Sequence, residues 1–223
     1  MAGHDHETHA RLLNAAAELF AARGFKDVTV REICAHAGAN VAAVNYHFGD
    51  KLGLYQEVVS KAIDTMRAAT DAAREAGTRL PADEKLRAYI RVFLRRVITD
   101  GPDSWIYRMM AREIADPSPA LDRIAQQVIA PRADYIASIV SEMTGRPAED
   151  ALVRRCAMSV QAQCHAAMPH PLTKRALLLP PDNTIDDLAN HIAEFSLAGV
   201  QRVHGVQKAE GVREVIGVRA RKR

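Results

Sequence analysis

Between Gly38 and Lys51 the chain reads GANVAAVNYHFGDK, two Asn set among small and aliphatic residues and followed by a Tyr-His-Phe run and a Lys. An Asn amide donates and accepts in one plane, which matches the N6 and N7 edge of adenine. An Ala packs on a thymine methyl and lets a helix sit deep in a groove. On that chemistry Asn40, Ala42, Ala43 and Asn45 are the candidates to face base edges. No catalytic constellation competes with them: there is no nucleophile elbow, no phosphate-cradling Gly loop and no paired-acid arrangement. The expectation is therefore a non-enzyme without catalytic residues, cofactor or metal.

Such residues need a helix held steeply against a neighbour, and the flanking sequence supplies one. Residues 8–23, THARLLNAAAELFAAR, space Leu12, Ala16, Leu19, Phe20 and Arg23 by threes and fours, giving an amphipathic helix stopped by Gly24. In TVRE, Thr29 is placed to cap a second helix with Glu32 three residues on, a capping box, and that helix ends at Gly38. Asn40 can cap a third helix whose Val41, Val44 and Phe48 point to a core, and Gly49-Asp50 ends it and begins the next. Two short helices joined by a Gly-containing turn make a helix-turn-helix. Cys34 gives the small crossing residue, Gly38 the turn and Val44 the aliphatic anchor. Ile33 and Val44 then face the first helix, leaving Asn40, Ala42, Ala43, Asn45 and Tyr46 outward.

Beyond Lys51 the helical period continues, with starts at Pro81, Pro102 and Ser118-Pro119, Pro being favoured in a first helical turn. Pro131 falls inside the segment from Ser118 toward Gly145 and should kink or break it. Helices at about 148–168 and 184–204 flank the Pro-rich stretch MPHPLTKRALLLPPDN. No segment alternates with the period of a strand. The expected fold is all-α: a three-helix helix-turn-helix domain at 8–54, a larger helical domain at 55–204 and a basic tail at 205–223.

These residues resemble the N-terminal domain of the TetR family of transcriptional regulators, through Phe20, Gly24, Phe25, Thr29, Ile33, Ala37, Gly38, Tyr46, His47, Phe48, Lys51 and Leu54. The AAVNYHFGDK form, with Ala43 and Asn45 where many members carry Thr and Tyr, is similar to the CecR-like subgroup. REIADPSPALDRIAQQVIAPR and CAMSVQAQCH resemble that subgroup's C-terminal domain. The resemblance implies that Thr29, Tyr46, His47 and Lys51 touch DNA phosphates, positioning the domain without reading sequence. It implies a homodimer through the helices at 148–168 and 184–204, a palindromic double-stranded operator, and a small-molecule effector bound among the C-terminal helices. Candidates to line that pocket are Trp105, Tyr107, Arg108, Met109, Arg112, Gln161 and His165. For the aromatic and Met residues, plain core is the competing reading.

Charge qualifies this picture. Residues 1–51 carry five Lys/Arg and six Asp/Glu, net −1, whereas residues 202–223 carry seven and two, net +5. A head without a basic footprint leaves open a helical interaction module that does not bind specific DNA. The basic end reads as a disordered, solubilising tail with no assigned role. HDHETH, at 4–9, reads as an unstructured end in preference to a metal site, and Cys156 and Cys164, eight apart on one helix face, as small core hydrophobes. Three Cys, no apolar run of roughly 18 residues and no secretory start suggest a cytoplasmic protein without a membrane span.

Overall fold

The computed structural model describes residues 2–100, 104–167 and 184–220, with side chains described for 5–96, 104–167 and 184–205. Every regular element among them is helical: α1 (Ala2–Arg23), α2 (Val30–Ala37), α3 (Val41–Phe48), α4 (Lys51–Gly77), α5 (Ala82–Asp100), α6 (Trp105–Ala115), α7 (Pro119–Ile124), a π turn (Ala125–Ile129), α8 (Ala130–Thr144), α9 (Ala151–Ala166) and α10 (Ile185–Ala220). The Pro102 start and the Pro-rich stretch lie outside the described residues.

Packing divides the chain into two compact units, Met1–Ala68 with Asp100–Ile129, and Ala69–Thr99 with Ala130–Arg223. In the first, α1 buries Leu12, Ala16 and Phe20 against Ile33 of α2, Val44 of α3, Leu54 and Val58 of α4, Met109 of α6 and Ile124 of α7. This unit reaches beyond the segment 8–54, because α6 lies along α1 as well. Arg108 pairs with Glu18, Arg112 Nη2 donates to the Ala22 carbonyl at 2.6 Å, and Lys26 meets Asp116 at 3.3 Å. In the second unit, Leu86, Tyr89, Ile90, Phe93 and Leu94 form one stripe of α5. They pack with Ile136 and Val140 of α8, Val153, Val160 and Cys164 of α9, and Ile192 and Val200 of α10. Burial pushes the Cys164 thiol up to about 12, so it packs as an inert small hydrophobe.

Two expectations change. HDHETH is helical, not an unstructured end: α1 begins at Ala2, and Asp5 and His9 are held by side chains of α3 and α4. The last helix continues through the basic end to Ala220, where a disordered tail was expected from composition. At Pro131 the chain stays helical, but the α ladder is interrupted just before it. Its ring excludes the carbonyl four residues back and it brings no N–H, and the chain answers with the π turn that separates α7 from α8.

Candidate DNA-reading site

The helix-turn-helix is built almost wholly from local interactions. Thr29 caps α2: its Oγ1 accepts from the Glu32 N–H at 3.3 Å, and Glu32 Oε2 accepts from the Thr29 N–H at 2.8 Å, the reciprocal pair of a capping box. Arg23 Nη2 sits 2.7 Å from Glu32 Oε1. That pair and the Thr29 donors hold the Glu32 carboxyl at about 2. Gly38 ends α2 in the left-handed region (φ 60°), which lets its own N–H and that of Ala39 return to the Ala35 and Cys34 carbonyls. Asn40 Oδ1 then accepts from the Ala42 N–H at 3.0 Å and starts α3.

One buried residue orients α3. Val44 is fully enclosed by the core under α1, which turns Ala42, Asn45 and Tyr46 outward, and Tyr46 is 75% exposed. Ala43 is half-buried and packs on the core edge. Asn40 spends its amide oxygen on the cap, so its NH2 is the group left facing outward. Asn45 therefore has the better disposition for a two-bond contact with a base edge. The end of α3 is fixed by a close approach that sequence reasoning missed: a Cβ at Gly53 would stand 2.0 Å from the Phe48 carbonyl oxygen. Gly53 donates its N–H to Asp50 Oδ1 at 2.8 Å, which caps α4.

The four phosphate candidates differ in readiness. Tyr46 is open. The Thr29 hydroxyl lies 2.8 Å from Glu32 Oε2. Lys51 stands over the Phe25 ring, 4.5 Å from its centroid, with Nζ 3.4 Å from the Lys26 carbonyl. His47 is only 10% exposed and its Nε2 lies 3.4 Å from Asp5 Oδ1. Arg31, exposed in the first turn of α2, is a further cation that TVRE already displayed. The starts of α2, α3 and α4 add N-terminal partial charge that the residue count of −1 does not include.

The effector candidates fall in both units. Trp105, Tyr107, Arg108, Met109 and Arg112 belong to α6 in the first, where Met109 is core and Arg108 and Arg112 brace α1. There a cleft of about 200 Å³ is lined by Phe20, Tyr55, Met109, Arg112, Glu113 and Ser118 among others. Gln161 and His165 belong to the second unit, on α9. Tyr89 donates its hydroxyl to Gln161 Oε1 at 2.6 Å, and Gln161 Nε2 lies 2.8 Å from His165 Nε2. Sequence reasoning missed the neighbouring Arg132. It is 6% exposed, stacked 4.9 Å from the Phe93 centroid, with Nε 3.3 Å from Thr70 Oγ1. Burial pulls its guanidinium below the usual arginine range. Desolvation, and then the Arg132 charge, lower the His165 imidazole. Among the described residues no group of His, Cys, Asp and Glu has the spacing to hold a metal, and no helix is long and apolar enough to cross a membrane.

Comparison with known proteins fits this layout. Residues 12–58 match the family model for bacterial regulatory proteins of the tetR family, and residues 82–200 match the C-terminal domain of the HTH-type transcriptional dual regulator CecR. The chain is 30% identical over 148 residues to the HTH-type transcriptional dual regulator CecR of Shigella flexneri, covering 63% of this chain and 66% of that protein. It is 38% identical over 56 residues to the HTH-type transcriptional repressor BepR of Brucella suis biovar 1, covering 25% of this chain and 27% of that one. The crystal structure of a TetR-like transcriptional regulator from Rhodococcus sp. RHA1 superposes with a TM-score of 0.65 at 17% identity, covering 87% of this chain and 96% of that one. A TetR-family regulator from Streptomyces coelicolor gives 0.63 at 23%, with the same coverage. At these identities the two structures speak for the fold alone.

Proposed function

Because the chain belongs to the TetR family of DNA-binding transcriptional regulators, with a C-terminal domain of the CecR type, we propose that it is a ligand-responsive repressor. It binds a palindromic operator as a homodimer in the cytoplasm. The observation that carries the reading is the disposition of α3, with Val44 buried under α1 while Asn45 and Tyr46 stand exposed. Asn45, Asn40 and Ala42 face base edges, Ala43 lets the helix sit close from its place at the core edge, and Thr29, Tyr46, His47 and Lys51 contact phosphate. Two such helices in a two-fold dimer lie about one DNA turn apart. Exposed Met158 on α9 and Phe195 on α10, 66% and 64% open, support pairing through those helices. The desolvated Arg132, beside the polar chain from Tyr89 through Gln161 to His165, supports an effector site in the second unit. An effector that prefers the conformation unable to hold DNA releases the operator by as much as its affinities for the two conformations differ.

Selection of bound fragments from genomic DNA tests the reading. Enrichment of one palindromic sequence is the expected result. Its absence even at low salt favours the helical interaction module suggested by the non-basic head. With the operator in hand, Asn45→Ala relaxes base preference. Lys51→Ala weakens all sequences together and lowers the slope of log affinity against log salt by about one. Equal loss of preference in both variants would remove the division of roles. Effector and operator should weaken each other's binding by the same factor, and an effector that leaves operator affinity unchanged would exclude the repressor mechanism.

A further inference from the structure

The first two turns of α1 reach the end of the recognition helix, and they do so with groups that have their own chemistry. Asp5 and His9 are four residues apart and share a face of α1. The His9 ring stacks on Phe48 with centroids 4.7 Å apart and 28° between planes, and it meets His47 edge-on at 5.5 Å. Its Nε2 lies 2.8 Å from Glu57 Oε1 of α4. His9 is thus a wedge between the last turn of α3 and the second turn of α4. One turn earlier, Asp5 Oδ1 lies 3.4 Å from His47 Nε2.

An imidazole N–H donates to a carboxylate oxygen and to a phosphate oxygen in the same way, and it reaches one of them at a time along a given N–H. On the proposed reading His47 touches phosphate, yet in the free protein its Nε2 edge faces an anion supplied by the chain itself. Asp5 also places a negative charge where the duplex brings its own. Like charges repel, and the carboxylate is half exposed and able to swing away. We infer that Asp5 is a stand-in for a DNA phosphate: operator binding exchanges the Asp5 carboxylate on His47 for a phosphate oxygen, while His9 keeps the end of α3 in place. This rests on the DNA-binding reading above. It adds Asp5 and His9 to the site as positioning residues, acting through His47 and Phe48.

The test is a double-mutant cycle on the full-length protein with the selected operator, measured across a salt series. Asp5→Asn is close to isosteric and its position is exposed, so the fold is kept. It should tighten operator binding about threefold, the order of an exposed ion pair, and steepen the salt dependence by up to about one counterion. In a His47→Gln background the same substitution should give less than half of that gain, because there is no imidazole left to release. A gain that is undiminished in that background means generic charge repulsion and overturns the exchange. Unchanged or weaker binding by Asp5→Asn alone also overturns it. His9→Ala should weaken the operator more than random DNA. Equal weakening, with circular dichroism and unfolding midpoint unchanged, would remove its positioning role. A wild-type protein that enriches no sequence fails the DNA-binding reading itself. One that binds its operator but shows no coupling between Asp5 and His47 fails only this inference.

Discussion

Among the described residues each compact unit buries one charged side chain, Glu113 at 5% exposure and Arg132 at 6%, and encloses it differently. The Glu113 carboxylate sits in a closed set of donors: the Tyr55 hydroxyl at 2.5 Å, the Ser118 N–H at 3.1 Å and the Ser118 hydroxyl at 2.9 Å. These tie α6 to α4 and to the start of α7, and burial together with Glu113 keeps the Tyr55 phenol protonated well above its ordinary range. Arg132 lies against the Phe93 ring, the Thr70 hydroxyl, the Tyr89 phenol and the Cys164 thiol. A buried carboxylate ringed by donors is a rivet. A buried cation stacked on a ring carries a desolvation cost, which pulls the Arg132 guanidinium below its usual range. The contrast ties Glu113 to the mechanical continuity of the first unit, and it adds to the proposal that the second unit senses the effector.

The largest effect should come from breaking the rivet. Glu113→Ala leaves the Tyr55 hydroxyl and the Ser118 N–H buried without their acceptor, and should cost about 3 kcal/mol in urea unfolding. Tyr55→Phe removes one donor from a buried carboxylate and should cost about 2 kcal/mol. Arg132→Met keeps a side chain of similar length against Phe93 while removing the buried charge, and should cost less than Glu113→Ala in the same measurement. Its visible effect should be a lost or altered response of operator binding to the effector. Should Arg132→Met destabilise as much as Glu113→Ala, both groups are rivets and the contrast collapses.

What the sequence disclosed was local. Thr29 with Glu32, Asn40 before Val41, and Gly24 and Gly38 after their helices all act within four residues, and each does in the structure what its type and spacing indicated. Cys34 and Val44 were legible as packing residues because the helical period assigns their face. Contacts across long separations were not. Arg108 and Arg112, among Trp, Tyr and Met, have the composition of a pocket lining, but their partners Glu18 and Ala22 lie 90 residues earlier. Tyr55 and Glu113 are 58 apart, and neither segment carries a sign of the other. The closeness of Gly53 to the Phe48 carbonyl depends on the angle between α3 and α4, which no periodicity encodes.

The smallest effect concerns a second carboxylate, whose solvent exposure separates hydrogen bonding from burial. Glu32 is held at about 2, first by the hydrogen bond from Arg23 and then by the Thr29 donors, against an ordinary value of 4.5. Its folded value lies below its unfolded one, so the folded state favours the ionised form. The stability this adds is fully present above about pH 4.5 and disappears as pH falls through about 2. Following the Glu32 carboxyl carbon by NMR should therefore show a midpoint near 2. Arg23→Gln should move it upward, and Thr29→Ala should move it by less, because the backbone N–H of residue 29 still donates. A midpoint at the ordinary value in the wild type would mean that the capping box and the Arg23 pair exert no hold in solution. The hydrogen-bonded enclosure invoked for Glu113 would then need burial to be effective at all.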